Sequence, residues 1–121
     1  MKQKSPTNET TRRILNFLFA QGVFAWRHNV LPIPIPGGGL RPGSKSGVPD
    51  IIGVSSALWG DLCYQGKFIG VEIKTGKDRL RPEQEGFHHT ARKLGAIILV
   101  VKDFEDFLKQ WNNLKKKKTR D

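Results

Sequence analysis

Near its centre the chain reads Val71-Glu72-Ile73-Lys74, and Pro49-Asp50 lies upstream of that stretch. Side chains on a strand alternate between the two faces of a sheet, so Glu72 and Lys74 share a face. Asp50 begins a second apolar run, which ends at Val54. If the two runs are neighbouring strands, two carboxylates and one lysine meet at one place. That combination is what a metal-dependent phosphodiesterase requires.

The elements around this stretch indicate an α/β fold, with a mixed sheet flanked by helices in the order α-β-β-β-α-β-α. A hairpin followed by a helical crossover to a buried strand is typical of such a sheet. Four prolines and five glycines between residues 31 and 47 exclude a helix or a central strand there. The predicted elements are a helix from Ser5-Pro6 to Gly22, a strand at 23–30, a loop at 31–47, strands at 50–54 and 67–74, a helix from Arg81-Pro82 to Gly95, a strand at 96–101 and a helix capped by Asp103.

Three helices carry apolar stripes that should face the core. The predicted stripes are Ile14, Leu15, Leu18 and Phe19 in the first helix, Phe87, Ala91 and Leu94 in the second, and Phe104, Phe107, Leu108 and Trp111 in the third.

Length and charge favour one small domain with an anionic partner. We expect a single domain over residues 1–114 of the 121 and a basic tail at 115–121. The chain has 21 Lys and Arg against 11 Asp and Glu, a net charge of +10 that favours nucleic acid first and an acidic membrane surface second. No apolar run reaches the length of a membrane span, and no secretory signal is visible. A single cysteine, Cys63, indicates a reducing, intracellular setting.

Asp50 and Glu72 supply hard oxygen ligands of the kind that Mg²⁺ or Mn²⁺ prefers. Lys74 would orient the attacking water or neutralise charge that develops on the phosphate. The alternative is that Glu72 and Lys74 form only an exposed pair on a strand, which contributes about 0–1 kcal/mol.

Two further polar residues bear on this site. Gln84 continues the inward stripe of its helix, and a buried amide needs hydrogen-bond partners such as a polar centre offers. The alternative is a half-exposed glutamine in a first turn. Glu9, in the first helix, either adds a carboxylate to the metal site or pairs with Arg13 four residues later.

Basic residues in two loops should flank the centre. They contact phosphates or remain solvated loop charges, and they are Arg41, Lys45, Lys77, Arg79 and Arg81. The three histidines, His28, His88 and His89, have no metal-ligand partner at a suitable spacing and are interpreted as structural or surface residues.

The motif set resembles a known family. Gly47-Val48-Pro49-Asp50, then Gly70-Val71-Glu72-Ile73-Lys74, then Gln84 with Phe87, and Gly95-Ala96 look like a PD-(D/E)XK nuclease. They are most similar to the small stand-alone VRR-NUC (virus-type replication-repair nuclease) domain of phages. The resemblance covers about residues 9 to 110.

The resemblance implies a restriction-endonuclease-like fold and an Mg²⁺- or Mn²⁺-dependent endonuclease. It implies a metal held by Asp50, Glu72 and the backbone carbonyl of Ile73, with Lys74 as the catalytic lysine and Gln84 in support. It makes Glu9 a helical acid that assists the metal site. It also implies a homodimer that acts on branched DNA such as Holliday junctions, in the host cytoplasm if a phage encodes it. A non-catalytic DNA-binding module on the same fold and an RNA-directed nuclease remain as alternatives.

Overall fold

The chain forms a mixed α/β fold, as the sequence predicts. The structure is a computed structural model, and it describes residues 6–28, 32–41, 43 and 45–118. Within these ranges the elements are α1 (Pro6–Ala20), β1 (Phe24–Arg27), β2 (Ile33–Pro34), β3 (Leu40–Arg41), β4 (Ile51–Val54), a 3-10 turn (Leu62–Tyr64), β5 (Phe68–Ile73), α2 (Pro82–Lys93), β6 (Ile97–Val101) and α3 (Phe104–Lys118).

Four strands form the main sheet, in the order β1-β4-β5-β6. The β1–β4 and β4–β5 pairs are antiparallel, whereas β5 and β6 are parallel. A parallel pair needs a crossover connection, and α2 provides it. β2 and β3 form a separate two-stranded ribbon within the segment predicted as a loop. That prediction missed the ribbon because two-residue strands among prolines leave almost no alternating pattern to detect.

The two faces of the sheet are covered by different helices. Ile69, Val71 and Ile73 of β5 join residues of α1 and α3 in the hydrophobic core. The other face of β5 carries Glu72, and α2 packs there because its buried side chain His88 contacts Glu72. The sheet therefore has an apolar core on one side and a polar, helix-covered centre on the other.

Two of the predicted apolar stripes are partly wrong. Phe19 is 83% exposed, and Phe17 instead packs edge to face on Phe107 and Trp111, with ring centroids 5.5 and 5.9 Å apart. Because consecutive helical residues are about 100° apart, Phe17 lies close to the buried Ile14, whereas Phe19 points well away from it.

The stripe of α2 also differs from the prediction. Leu94 is 83% exposed because the helix ends at Lys93 and the chain turns away. Gln84 and His88, one turn apart, are the residues that α2 buries. The helix thus buries the polar Gln84 and His88, while Phe87 of the predicted stripe lies beside Phe68 of β5, with ring centroids 6.3 Å apart.

The last helix is longer than predicted. Asp103 caps the start of α3 as predicted, because its Oδ1 accepts a hydrogen bond of 2.7 Å from the Asp106 N–H. Helix α3 continues to Lys118, however, through lysines that were assigned to the charged tail. Ser5, the predicted cap of α1, lies outside the described residues. So do positions 29 and 30 at the end of the first predicted strand, 31, 42 and 44 of the predicted loop, and 119–121 of the tail. In the part of the chain that the structure describes, no helix combines the length and apolarity that a membrane span requires.

Candidate metal centre

Asp50 and Glu72 meet at one end of the β4–β5 pair. Ile51 pairs with Val71 in this antiparallel register, so the position before β4 faces the position of Glu72. Asp50 Oδ2 accepts a hydrogen bond of 2.8 Å from the Ile73 N–H, which fixes the carboxylate against β5. Lys74 follows directly and donates its own N–H to Val101 O at 2.8 Å. The structure therefore brings the two acids and the lysine of the opening motif together.

Glu72 is buried, with only 2% of its surface exposed. Burial, together with a hydrogen bond and charge repulsion from the adjacent Asp50, raises the pKa of its carboxyl to about 8. Lys74 and Arg81 act in the opposite direction. At neutral pH and without a cation, Glu72 is therefore favoured in its protonated form. It is not the exposed strand pair of the alternative interpretation.

His88 is a site residue that the sequence analysis did not assign. Its Nε2 lies 3.4 Å from Glu72 Oε1, and both side chains are buried. Burial lowers the pKa of the His88 imidazole, with Arg92 and Lys74 acting in the same direction and Glu85 against it. Because Glu72 and His88 both favour their neutral forms, the contact joins an imidazole to a carboxyl group and is not an ion pair. The signal in the sequence was its position four residues after Gln84, on the same face of α2.

This contact leaves polar atoms without partners. Among the described residues, the buried side-chain atoms that have no hydrogen bond are Glu72 Oε1 and the two ring nitrogens of His88. Leaving a buried polar group unpaired costs about 1–3 kcal/mol, and such groups often mark a place where a ligand binds.

Gln84 is buried, as predicted from its spacing. Its Oε1 accepts a hydrogen bond of 2.9 Å from the Arg81 N–H, so it caps the first turn of α2. The contact shown is thus to the backbone of its own helix and not to the carboxyl pair. Its effect on the centre is to fix the start of α2, where Arg81 lies.

Glu9 forms an ion pair with Arg12, whose Nη2 lies 2.7 Å from both carboxylate oxygens. The pairing alternative predicted Arg13 as the partner, but the guanidinium of Arg13 lies 4.2 Å from the ring centre of Phe104.

The neighbouring Asn8 accepts a hydrogen bond of 2.7 Å from Arg27. Since β1 reaches Asp50 through the His28 N–H, which donates to Asp50 O at 2.7 Å, the start of α1 lies at the same end of the sheet as the carboxyl pair.

The predicted basic residues lie at different distances from the pair. Arg81 is close enough to lower the pKa of Glu72, and its Nε lies 3.3 Å from Glu83 Oε1. Arg41 is exposed on the β2–β3 ribbon, and Lys77 and Arg79 are exposed in the loop after Lys74. Lys45 is also exposed, at the edge of a cleft of about 830 Å³ beside α2.

The residues present fit a divalent cation. A cation between Asp50 and Glu72 would relieve the repulsion that raises the pKa of Glu72, and it would give the unpaired Oε1 a partner. In the described ranges no group of three or more His, Cys, Asp and Glu side chains is gathered for a metal ion. The carboxyl pair therefore needs backbone, water or substrate oxygens to complete the coordination, as Mg²⁺ sites commonly do.

Comparison with protein-family models, with curated proteins and with solved structures finds no match for this chain. The VRR-NUC resemblance therefore depends on the motif residues and on their geometry.

Proposed function

We propose that the protein is a metal-dependent DNA endonuclease that hydrolyses phosphodiester bonds in branched DNA. The observation that carries this proposal is the pairing of the Asp50 carboxyl with the buried Glu72 carboxyl, with Lys74 nearby, directly after β5. A pair of carboxyls packed so closely is unfavourable in a purely structural role, and basic residues surround it on both sides in the sequence.

In this proposal Asp50, Glu72 and the backbone carbonyl of Ile73 would hold Mg²⁺ or Mn²⁺. When bound, the ion supplies a Lewis acid for the phosphate and lowers the pKa of a bound water. The Ile73 N–H keeps Asp50 oriented toward that position. Lys74 donates hydrogen bonds to the attacking water or to the phosphate oxygens that gain charge.

The start of α2 would hold the scissile phosphate from the other side. Gln84 fixes the Arg81 backbone, and the Arg81 side chain adds a positive charge near Glu72. Arg41, Lys45, Lys77 and Arg79 would contact phosphates farther along the DNA. Glu9 would assist the metal only after it releases Arg12.

The proposal includes a homodimer, because a two-fold axis would place two centres on opposite strands of a junction. The sequence suggests two candidates for the dimer surface, the last helix from Phe104 to Trp111 and the segment between Trp59 and Phe68. The apolar face of the first, on α3, is largely in the core. The segment between Trp59 and Phe68, the other candidate, has the exposed Leu62 and Cys63. We place the enzyme inside the cell, where its DNA substrate is.

The test is a cleavage panel. The protein is incubated with supercoiled plasmid, linear duplex, four-way junction and single-stranded RNA, each with Mg²⁺, with Mn²⁺ or with chelator. We expect metal-dependent cutting of the junction and its loss in Asp50→Ala. Binding of DNA without cutting under any metal would favour the non-catalytic module, and cutting of RNA alone would favour the RNA-directed enzyme.

A further inference from the structure

The imidazole of His88 has no role in the chemistry assigned to Asp50, Glu72 and Lys74. It is nonetheless buried against Glu72, with its Nε2 at 3.4 Å from Oε1. It belongs to α2, whereas Asp50 approaches Glu72 from the start of β4. The Glu72 carboxyl thus has both a second carboxyl and an imidazole as neighbours.

A role in packing alone does not explain this choice of residue. The His88 side chain is buried, and an apolar side chain of similar volume would leave no ring nitrogen unpaired there. The next histidine along the helix, His89, is exposed and lacks this environment. The feature that distinguishes His88 from His89 is therefore its contact with the Glu72 carboxyl.

We propose that His88 is a positioning residue for the metal centre, holding Glu72 Oε1 in the orientation in which the carboxyl pair binds a divalent cation. This inference rests on the proposed function. In the structure Nε2 and Oε1 lie 3.4 Å apart without a hydrogen bond. With a cation bound, an Nε2–H donated to the ligating carboxylate would restrict its rotation and keep one oxygen directed at the ion. Outer partners of this kind typically change metal affinity by about 10–100-fold when they are removed.

The test compares His88→Gln with His88→Met. The two replacement side chains are nearly equal in length and shape, and both tolerate a helix. The glutamine amide offers an N–H at about the place of Nε2, whereas methionine offers none. Binding of Mn²⁺ is measured from the electron paramagnetic resonance signal of the free ion, without DNA. His89→Met is the control for loss of a histidine on the same helix.

We expect the Kd for Mn²⁺ to rise about 10–100-fold in His88→Met, and to stay within about threefold of wild type in His88→Gln and His89→Met. Equal affinity in wild type and His88→Met would overturn the positioning role. An equal loss in the methionine and glutamine variants would assign the ring to packing and would also overturn it.

Circular dichroism melts without metal show whether each variant folds, so that a misfolded variant is not mistaken for a folded one that binds Mn²⁺ weakly. If His88→Met does not fold, His88→Phe replaces it, since phenylalanine keeps the ring shape without the nitrogens. If neither apolar variant folds while His88→Gln does, a polar group at position 88 is needed for folding itself and the proposal is wrong. A wild-type protein without a saturable Mn²⁺ site would instead contradict the proposed function itself, and the inference with it.

Discussion

At the scale of single residues, Glu72 is a costly side chain to bury. It is buried against His88 and lies beside Asp50, and burial together with the Asp50 carboxyl raises its pKa to about 8. The direction in which stability changes with pH follows from the pKa of Glu72 in the unfolded and in the folded chain. Unfolded, Glu72 loses its proton near the ordinary glutamate value of about 4.3, whereas folded and metal-free it keeps the proton to about pH 8.

We therefore predict that the metal-free protein loses stability as the pH rises. The contribution of Glu72 is fully present below the unfolded pKa and is lost as pH rises through the folded pKa, because the folded state binds the extra proton in between. In chelator, the melting temperature of wild type relative to Glu72→Gln should fall by on the order of 5 °C between pH 5 and pH 8. A difference that stays constant with pH would show that the carboxyl is not perturbed in this way.

Mg²⁺ should reverse that trend, because the ion binds the deprotonated pair. Its stabilising effect on wild type is expected to be larger at pH 8 than at pH 6, and absent in Glu72→Gln. The same melting experiment, repeated with Mg²⁺ at pH 6 and at pH 8, measures this effect in wild type and in Glu72→Gln.

The convergence of Asp50, Glu72 and Lys74 could be predicted from sequence, because strand alternation and two neighbouring apolar runs determine it. The contact with His88 could not be predicted in the same way. It depends on the rotation of α2 over the sheet, and the sequence suggested a stripe through Phe87 and Leu94 in place of the one that includes His88. Likewise the burial of Gln84 follows from spacing, but its hydrogen bond to Arg81 depends on where the helix begins.

At the scale of elements, close packing of backbone holds the site in place. A Cβ at Gly70 would lie 2.8 Å from Pro49 Cγ and 2.9 Å from Ile98 Cδ1, so β5 admits no side chain where Pro49 crosses it. Gly47, with φ of +82°, leaves even less room, because its Cβ would lie 2.1 Å from Glu83 O in the first turn of α2. These contacts fix the approach to Asp50 from two sides.

We predict opposite effects for two glycine-to-alanine changes. Gly70→Ala should destabilise the protein by about 1–3 kcal/mol, because the methyl group forces Pro49 or Ile98 to move. Gly86→Ala, inside α2 with nothing within 4 Å of the new methyl, should stabilise it by about 0.5–1 kcal/mol through the lower cost of ordering alanine in a helix. Urea unfolding midpoints measure both, and effects of the same sign would contradict this description of the packing.

The type and order of the main elements could be predicted because their patterns are long and regular. The exceptions are local. The β2–β3 ribbon is too short to leave a pattern, and the exchange of Phe17 for Phe19 in the core depends on which way α1 rolls against α3. The lysines of the C-terminal segment were assigned to a tail on charge alone. They instead continue α3, which is anchored to the core by the buried Phe107 and Trp111.

At the scale of the whole molecule, the net charge of +10 should govern DNA affinity. Each phosphate that a lysine or arginine neutralises releases condensed counterions, so the logarithm of Kd should rise linearly with the logarithm of salt concentration. We predict that replacing Lys77 and Arg79 together by alanine reduces that slope by about 1–2. Lys109→Ala, on the exposed side of α3, is the control and should leave the slope unchanged.

This measurement uses chelator so that the DNA stays intact. Binding that does not depend on salt, or a slope equally reduced by the Lys109 change, would contradict a phosphate-binding role for the loop after Lys74.

The central claim is that the Asp50–Glu72 pair is the metal centre of a nuclease, and single-turnover cleavage of a four-way junction in Mg²⁺ tests it most directly. Wild type should cut, and chelator should abolish cutting. Glu72→Gln should lower the rate constant by about a thousandfold or more, because several kcal/mol of Lewis-acid stabilisation are lost. Glu105→Gln, an exposed glutamate on α3, should cut as wild type does. Equal rates for wild type and Glu72→Gln, or no cutting by wild type with either Mg²⁺ or Mn²⁺, would contradict the claim.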